Sequence, residues 1–272
     1  MSSSIARNNF YREINRPDDQ IDLAKAALYI AQEEYRDLDV AEYLNALETM
    51  SDEVKDILYE ELYPLKIIKI VNEYLYNDLG FRGNTTDYYD PRNSFLNDVI
   101  ERRTGIPIAL SLIYLEIAKR IHFPMVGIGM PGHFLIRPTF EGVGFFVDAF
   151  NRGEVLFEQD CEQLLSKIYQ QPVQLQSEFL EPISNRQLLA RMLTNLKFIY
   201  LNRRQLKKSL GTVERILLLF PNAVNELRDR GLLLYELGDS ENARQDLQLY
   251  LVKVPQAPDA EAIRQILAQM GF

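Results

Sequence analysis

Apolar residues recur every three or four positions through the first part of the chain, the spacing of amphipathic helices. This pattern predicts an all-helical lead-in over residues 18–80. Ser51 or Asp52 can cap a new helix, so we predict a break there, with Leu62 among the inward-facing residues of the later helix. Residues 1–17 are polar and show no period, and we expect them to form a flexible arm.

The pattern changes between residues 93 and 151. A helix is predicted after Asn93, and a second begins at Pro107, whose missing N–H is tolerated in a first turn. The second helix is apolar nearly all round at its start, so we expect it to be buried. Alternating apolar segments then predict short strands, and residues 158–169 predict a closing helix. We therefore predict a small α/β core over residues 81–170, with a short antiparallel sheet.

Residues 171–183 are polar and have a proline near each end, which predicts a linker. Ser184 and Gln187 have the spacing of a capping box for the helix that follows. Together with the lead-in, this pattern predicts an α+β chain that is mostly helical.

The last part of the chain repeats. Pro221 and Pro255 are 34 residues apart, the period of a tetratricopeptide repeat, which predicts such helical hairpins over residues 184–272. The second copy has small residues where helices approach closely, at Gly231, Gly238 and Ala243, and the first has Lys197, Arg204 and Ser209 there. The alternative interpretation is a helical bundle without repeats. A repeat module of this size predicts a groove for a peptide or a helix of a partner protein.

Charge argues against nucleic acid as a partner. The chain of 272 residues has a net charge of -9, and an acidic surface repels phosphate backbones. Two basic segments, at 101–103 and 202–208, lie on predicted helices and are interpreted as solvated faces.

Cysteine and histidine counts limit the chemistry. With Cys161 as the single cysteine, no intrachain disulfide can form, and a cytoplasmic location is expected. His122 and His133 are the only histidines, which excludes a multi-histidine metal site, and we predict no metal or other cofactor. No apolar run reaches the length of a membrane span, and the first residues lack the apolar core of a signal peptide.

One segment matches a nucleotide-binding motif in sequence, but not in its predicted structural context. Residues 127–132, GIGMPG, fit GxGxxG, but a predicted strand follows them instead of a helix. Pro131 also removes a backbone donor that a phosphate needs. We therefore reject a nucleotide site there.

The strands carry two residues that suggest a catalytic pair. Asp148 lies in an apolar strand, and a buried carboxylate requires a partner, for which the His133 imidazole is suited. Such a pair orients the ring in a Cys-His-Asp triad. The third member is expected at the start of the buried helix, where the helix dipole lowers a thiol pKa, but residues 105–111 contain no cysteine. The alternative interpretation is a structural hydrogen-bonded pair.

Two residues are candidate substitutes for the missing thiol. Ser111 lies one turn into the buried helix, where its hydroxyl can instead bond a backbone carbonyl. Cys161 begins a later helix, and Asp160 beside it is expected to raise the thiol pKa. A single cysteine is more often a small packing residue.

Residues 20–165 resemble the SirB-type branch of the transglutaminase-like superfamily, which often carries C-terminal tetratricopeptide repeats. The resemblance is carried by these segments of the chain: DLAKAALYIAQEEYRDLDV, GFRGNTTDYYDPRNSFLNDVIERRTGIPIALSLIYLEIAKR, PGHFLIR, VDAFNRGEVL and DCEQLL. It implies a papain-like or transglutaminase-like α/β core in which a helix carries a Cys and strands carry a His and an Asp. His133 and Asp148 match the family His and Asp, whereas Pro107 stands where active members have the Cys.

The resemblance therefore implies a degenerate site. Polar and aromatic residues near His133 are predicted to shape a binding cleft: Tyr88, Tyr89, Asn93, Arg102, Arg103 and Asn151. An alternative role for the two arginines is pairing with acidic residues of the lead-in.

Three functional hypotheses follow. The first is a non-catalytic protein that binds a partner protein through its cleft and its repeats. The second is a cysteine-type hydrolase or acyltransferase in which Cys161 acts with His133 and Asp148. The third is an assembly factor for a larger complex, suggested by the acidic charge and the repeats.

Overall fold

The computed structural model describes residues 2–58 and 63–271, which form a mostly helical chain with a small antiparallel sheet. The helices are α1 (Ser2–Ile14), α2 (Leu23–Gln32), α3 (Val40–Ile57), α4 (Pro64–Asn72), α5 (Leu96–Arg102), α6 (Pro107–Arg120), α7 (Glu158–Tyr169), α8 (Asn185–Asn202), α9 (Leu206–Leu219), α10 (Val224–Glu236), α11 (Ser240–Lys253) and α12 (Ala260–Gln269). The strands are β1 (Arg82–Gly83), β2 (Thr104–Gly105), β3 (Met125–Ile128), β4 (Leu135–Pro138), β5 (Phe146–Asp148) and β6 (Glu154–Leu156). Backbone contacts divide the chain into two units, Met1–Leu189 and Ala190–Phe272.

The prediction of a flexible arm over residues 1–17 is wrong. Residues Ser2–Ile14 form α1, which packs against α2. Ala6, Phe10 and Ile14 recur every four residues and are buried on one face. Most of the other positions are polar, and Ile5 and Tyr11 are exposed, so this narrow apolar stripe does not stand out in the sequence.

The predicted break at Ser51 or Asp52 is also wrong, because α3 continues through both residues. The Ser51 hydroxyl donates to the Leu47 carbonyl at 2.7 Å, a bond back to the preceding turn that a residue inside a helix makes. Leu62, predicted to face inward, lies outside the described residues. None of the helices that the described residues form is long and apolar enough to cross a bilayer.

The core of the first unit forms where α6 packs against the sheet. The sheet has the order β3-β4-β5-β6 with antiparallel neighbours, and α6 contacts β3 and β4. Residues from Pro107 to Ala118 of α6 are all buried, as the apolar start of this helix predicted. Its Tyr114 and the nearby Phe134 are among the largest fully buried side chains. The helix thus fixes the strands that carry the candidate pair.

The segment over residues 171–183, predicted as a linker, is packed onto the first unit. Leu180 is buried in an apolar cluster with side chains of the sheet and of α7, and Phe179 packs against the same cluster. Pro182 forms an antiparallel bridge with Ile128 of β3. The polar composition of this segment hides its few apolar residues, which cover one side of the sheet.

The second unit consists of helical hairpins whose spacing follows the predicted repeat. Gly231 of α10 allows close approach to α11, because a Cβ there would lie 2.7 Å from the Leu247 side chain. Gly238 and Arg204, 34 residues apart, both have positive φ after their helices, at 85° and 54°. Lys197 occupies a position where the repeat pattern predicts a small residue. It is buried, and its amine donates hydrogen bonds to carboxylates of α10. The first copy therefore replaces a close contact with an ion pair.

Candidate functional site

His133 and Asp148 meet at one end of the sheet. His133 lies two residues before β4, and Asp148 is the last residue of β5. The antiparallel register, which places Ile136 opposite Val147, brings the two side chains together. The His133 Nε2 is 2.8 Å from the Asp148 Oδ2, and the pair is buried. Since an ionised carboxylate only accepts hydrogen bonds, the ring donates this bond from Nε2.

The Asp148 carboxylate is saturated by four donors. Besides His133, it accepts the backbone N–H groups of Phe150 and Asn151 at Oδ1, at 3.0 and 3.2 Å. The Asn151 side-chain amide donates to Oδ2 at 2.8 Å. Asp148 therefore orients the ring and also organises the turn that follows β5. Asn151, predicted as a cleft residue, belongs to this network.

The turn after Asp148 is held in place by hydrogen bonds that involve residues of the lead-in and of α6. Gly153 has φ 73°, and the Asn72 side chain donates to its carbonyl at 2.7 Å. Tyr114 of α6 in turn donates to Asn72 Oδ1 at 3.1 Å. The Tyr76 hydroxyl donates to the Ala149 carbonyl at 3.0 Å. The position of Asp148 is thus fixed by two parts of the chain that are far from it in sequence, α6 and the end of the lead-in.

The position predicted for a nucleophile is the first residue of a buried helix. Pro107 begins α6 and is itself buried. The residue before it, Ile106, donates its N–H to the Asn93 carbonyl at 3.1 Å, which ties the helix start to the preceding loop. Ser111 is fully buried one turn later, and its hydroxyl has no hydrogen-bond partner among the described residues, so the expected bond to a backbone carbonyl is absent.

Cys161 is buried in an apolar environment near the start of α7. Its side chain packs in the cluster that includes Met130, Phe146 and Leu165. Burial, and after it the charges of Asp160 and Asp148, raise the pKa of the Cys161 thiol to about 12. The expectation that Asp160 raises this pKa agrees with this result, although desolvation is the larger cause. Cys161 is therefore a thiol at neutral pH, and not a thiolate.

A row of aromatic rings runs from the surface to His133. Tyr88 and Tyr89 are exposed and in edge contact, with ring centroids 5.4 Å apart. Tyr88 contacts Phe150 at 6.2 Å, and Phe150 contacts the His133 ring at 6.2 Å. The two tyrosines predicted for the cleft are thus linked to the His133–Asp148 pair through Phe150.

Two of the remaining predicted cleft residues, Asn93 and Arg102, stabilise the loop over residues 84–93. Asn93 is fully buried, and its amide donates to the Asp87 carbonyl at 2.7 Å. Arg102 lies 3.5 Å from the Asp90 carboxylate of this loop, so it pairs there and not with an acidic residue of the lead-in. Arg103 donates to the Leu79 carbonyl. Asn93 and Arg102 therefore support the loop that carries Tyr88 and Tyr89, whereas Arg103 contacts the end of the lead-in.

Sequence reasoning missed Phe150, Asn72 and Gly153 as parts of this site. Phe150 follows Asp148 in an apolar run, and Gly83 makes room for it, because a Cβ at Gly83 would lie 2.6 Å from the Phe150 ring. Asn72 is separated from Gly153 by 81 residues, and only the fold joins them. Gly153 after Asn151 and Arg152 is a turn signal that could have indicated a tight turn beside the pair.

Two family models match adjacent parts of the chain. The transglutaminase-like superfamily matches residues 41–194, and a tetratricopeptide repeat model matches residues 196–268. Among similar proteins, a UPF0162 protein of Xylella fastidiosa is 38% identical, over 93% of this chain and 92% of its own. Protein SirB1 of Salmonella typhimurium is 28% identical over 78% of each chain.

A shorter match extends beyond bacteria. F-box only protein 21 of Homo sapiens is 36% identical over 38% of this chain and 18% of its own length. No solved structure gives a significant match to the chain.

Proposed function

Since the chain belongs to the transglutaminase-like superfamily, together with UPF0162 and SirB1 proteins, we propose that it is a non-catalytic member that binds a protein partner. The observation that carries this proposal is Pro107 at the start of α6, the position where the resemblance expects the attacking cysteine. Acyl transfer of the superfamily type requires a nucleophile next to a base. A proline side chain has no atom that can attack a carbonyl.

The single thiol does not replace the missing one. Cys161 is buried among apolar side chains, and its pKa of about 12 keeps the thiol protonated at pH 7. The thiolate is the attacking form of a cysteine. The hypothesis of a displaced cysteine hydrolase therefore has no support from the environment of Cys161.

The His133–Asp148 pair then has a binding and structural role. Its carboxylate fixes the turn that carries Phe150, and this ring connects the imidazole to Tyr88 and Tyr89. Exposed aromatic rings beside a rigid polar pair suit the recognition of a peptide, because they offer contact area at little cost in side-chain entropy. We infer that the cleft binds a protein segment without cleaving it.

The repeat unit supplies a second surface for the same kind of partner. Stacked helical hairpins form concave surfaces that dock peptides or helices. Phe198 on α8 is 56% exposed, although it is a large apolar residue in the first helix of a pair. A protein that binds a partner at two surfaces without chemically changing it would have a regulatory or assembly role.

Turnover that depends on His133 is the test of the non-catalytic assignment. Wild type and His133→Ala are incubated with a glutamine-containing peptide and a primary amine, and ammonia release and amine incorporation are measured. Hydrolysis of amide, ester and thioester model substrates is measured alongside. We expect no turnover above background in either protein. Turnover in the wild type that disappears in His133→Ala would contradict the proposal.

Partner binding is tested with matched surface variants. Wild type, Phe198→Asp and Val252→Asp are compared by quantitative affinity purification from the native host. Val252 is 77% exposed on α11, the second helix of a pair, and serves as the control for adding a surface charge. We expect Phe198→Asp to lose specific proteins that Val252→Asp retains. Equal recovery with all three proteins would count against docking at this surface.

A further inference from the structure

One edge of the sheet is only partly covered by the chain itself. β3 is the outermost strand, and residues 182–183 pair with its final part. Pro182 forms an antiparallel bridge with Ile128, and the Ile183 N–H donates to the Gly127 carbonyl at 3.0 Å. Beyond this contact, the chain leaves the strand.

The start of α8 ends this pairing. The backbone N–H groups of Asn185 and Arg186 donate to the Asp18 carboxylate, at 2.9 and 3.0 Å. The Asn185 side chain also donates to the Asp18 carbonyl at 2.7 Å. The first turn of α8 is thus anchored, and the chain cannot continue along β3 past Ile183.

The remainder of the edge presents unpaired backbone groups. The Thr139 backbone N–H donates to the Pro124 carbonyl at 3.0 Å. In an antiparallel pair, residues that bond the neighbouring strand alternate with residues that do not, so this bond shows which residues of β3 bond β4. In this alternation the backbone groups of Met125 and Gly127 face away from β4. Within the described part of the chain, the Met125 N–H and C=O and the Gly127 N–H have no backbone partner. An open edge of this kind is a template for another strand.

A cavity of about 500 Å³ lies against this open edge. Most of its walls are apolar side chains, from Ile21, Leu23, Leu115, Val126, Ile183 and Leu188. The volume falls in the range of sites that bind a ligand in a largely apolar cleft. The cavity can therefore take a large apolar side chain from a segment that pairs with β3.

Antiparallel pairing sets the direction of such a segment, and charge sets the kind of residue that suits its end. A strand that continues the antiparallel pairing of residues 182–183 runs toward Phe123, so its C-terminal end approaches His122 and Lys119. Lys119 has no salt-bridge partner among the described residues, whereas Glu116 in the same wall is paired with Arg120. An acidic residue after the apolar one therefore complements this end of the cavity.

We propose that this edge site binds an extended peptide segment of a partner protein. The segment adds a short antiparallel strand to β3, places an apolar side chain in the cavity and places an acidic side chain next to Lys119. Its backbone continues a pairing that the chain already makes at Gly127 and Ile128. A second copy of this chain is a poorer occupant, because β3 has only four residues and its open part covers only Met125 to Gly127. The site is separate from the cleft at His133.

The test uses the full chain and a library of linear twelve-residue peptides displayed on phage. Peptides enriched on the wild type are synthesised, and their affinities are measured by fluorescence anisotropy. Met125→Pro removes the outward N–H together with the methionine side chain, a substitution that edge strands tolerate, and Met125→Ala is the matched control that loses the side chain but keeps the N–H. We expect peptides with an apolar residue followed by an acidic one, bound at least about fivefold more weakly by Met125→Pro than by Met125→Ala. Lys119→Glu is expected to weaken binding as well.

Amide hydrogen exchange on the wild type locates the bound peptide without any variant. We expect the peptide to slow exchange at Met125 and Gly127. Slower exchange at residues 86–89 instead would place the peptide in the aromatic cleft and overturn the edge site, while leaving the proposed function intact. Failure to enrich any peptide, or equal affinity for Met125→Pro and Met125→Ala, would also overturn it. A wild-type dimer that Met125→Pro converts to a monomer would assign the edge to a second copy.

Discussion

Asp148 shows how one residue of the candidate pair can also serve the fold. Its carboxylate accepts four hydrogen bonds, of which only one comes from His133. The other three fix the turn after β5. The fold therefore needs Asp148 whether or not any reaction depends on it.

Replacement of Asp148 by asparagine tests this structural role. Asp148→Asn exchanges an acceptor oxygen for an NH2 group that faces other donors in a buried site, so we expect unfolding to become easier by about 2–4 kcal/mol. Urea unfolding followed by circular dichroism measures this change. Asn151→Ala is the control, since it removes one donor and leaves the carboxylate three partners, at about 1 kcal/mol. Equal stability of Asp148→Asn and wild type would show that the turn does not need the charge.

The Cys161 thiol provides a second test at the residue scale. Its pKa in the folded chain is raised to about 12 by burial and then by Asp160 and Asp148. We expect iodoacetamide to label Cys161 at pH 8 only after the chain is unfolded in urea, as measured by mass spectrometry. Rapid labelling of the folded protein would contradict the burial of this thiol.

The same pKa shift predicts a pH dependence of stability. Folding favours the neutral thiol, so the contribution is present below the pKa of an unfolded cysteine, about 8.5, and is lost as pH rises through the folded value. We expect the wild type to lose stability between about pH 8.5 and 12 relative to Cys161→Ala, which lacks the group. Urea midpoints of both proteins measured across this range test the sign. A parallel decline in the two proteins would contradict it.

At the scale of elements, the turn over residues 148–153 depends on a glycine. Gly153 has φ 73°, and a Cβ there would lie 2.0 Å from the Asn72 Oδ1. The Asn72 side chain bonds both Gly153 and Tyr114, so it has little freedom to move. The turn and the lead-in therefore constrain each other.

A pair of glycine variants separates this contact from backbone strain. Gly153→Ala is expected to destabilise the chain by about 3 kcal/mol or more, because it adds a clash to an unfavourable φ. Gly142 has a similar φ of 78°, but a Cβ there would have no other atom within 4 Å, so Gly142→Ala carries only the backbone cost of about 1–2 kcal/mol. Denaturant unfolding measures both values. If Gly153→Ala lowered the free energy of unfolding no more than Gly142→Ala, the Asn72 side chain would be able to move out of the way of the added methyl group.

Helices with a broad apolar face were predicted correctly, whereas a helix with a narrow apolar face was missed. The buried start of α6, the closing helix α7 and the capping box at Ser184 and Gln187 follow the sequence pattern. α1 was missed because its buried face has only three apolar residues and also includes Glu13. The His133–Asp148 pair was predictable from residue chemistry. Asn72 was not, because its contact with Gly153 exists only after the lead-in folds onto the sheet.

At the scale of the whole molecule, two apolar cores lie in different units of the chain. Leu135 is buried in the cluster between the sheet and α7, in the unit Met1–Leu189. Leu247 is buried in a cluster of α11 and α12, in the unit Ala190–Phe272. Separate cores allow one unit to lose stability without the other.

This separation predicts that core variants act locally. Leu135→Ala and Leu247→Ala each remove a fully buried side chain, so each is expected to cost its own unit about 2–5 kcal/mol. Leu249→Ala, at a position 42% exposed on the same helix as Leu247, is the control and should cost less than about 0.5 kcal/mol. Amide hydrogen exchange should then quicken within residues 190–272 for Leu247→Ala, while β3–β6 keep their protection. If Leu247→Ala exposed the strands equally, the two units would unfold as one, and a partner bound to the repeats would also stabilise the cleft at His133.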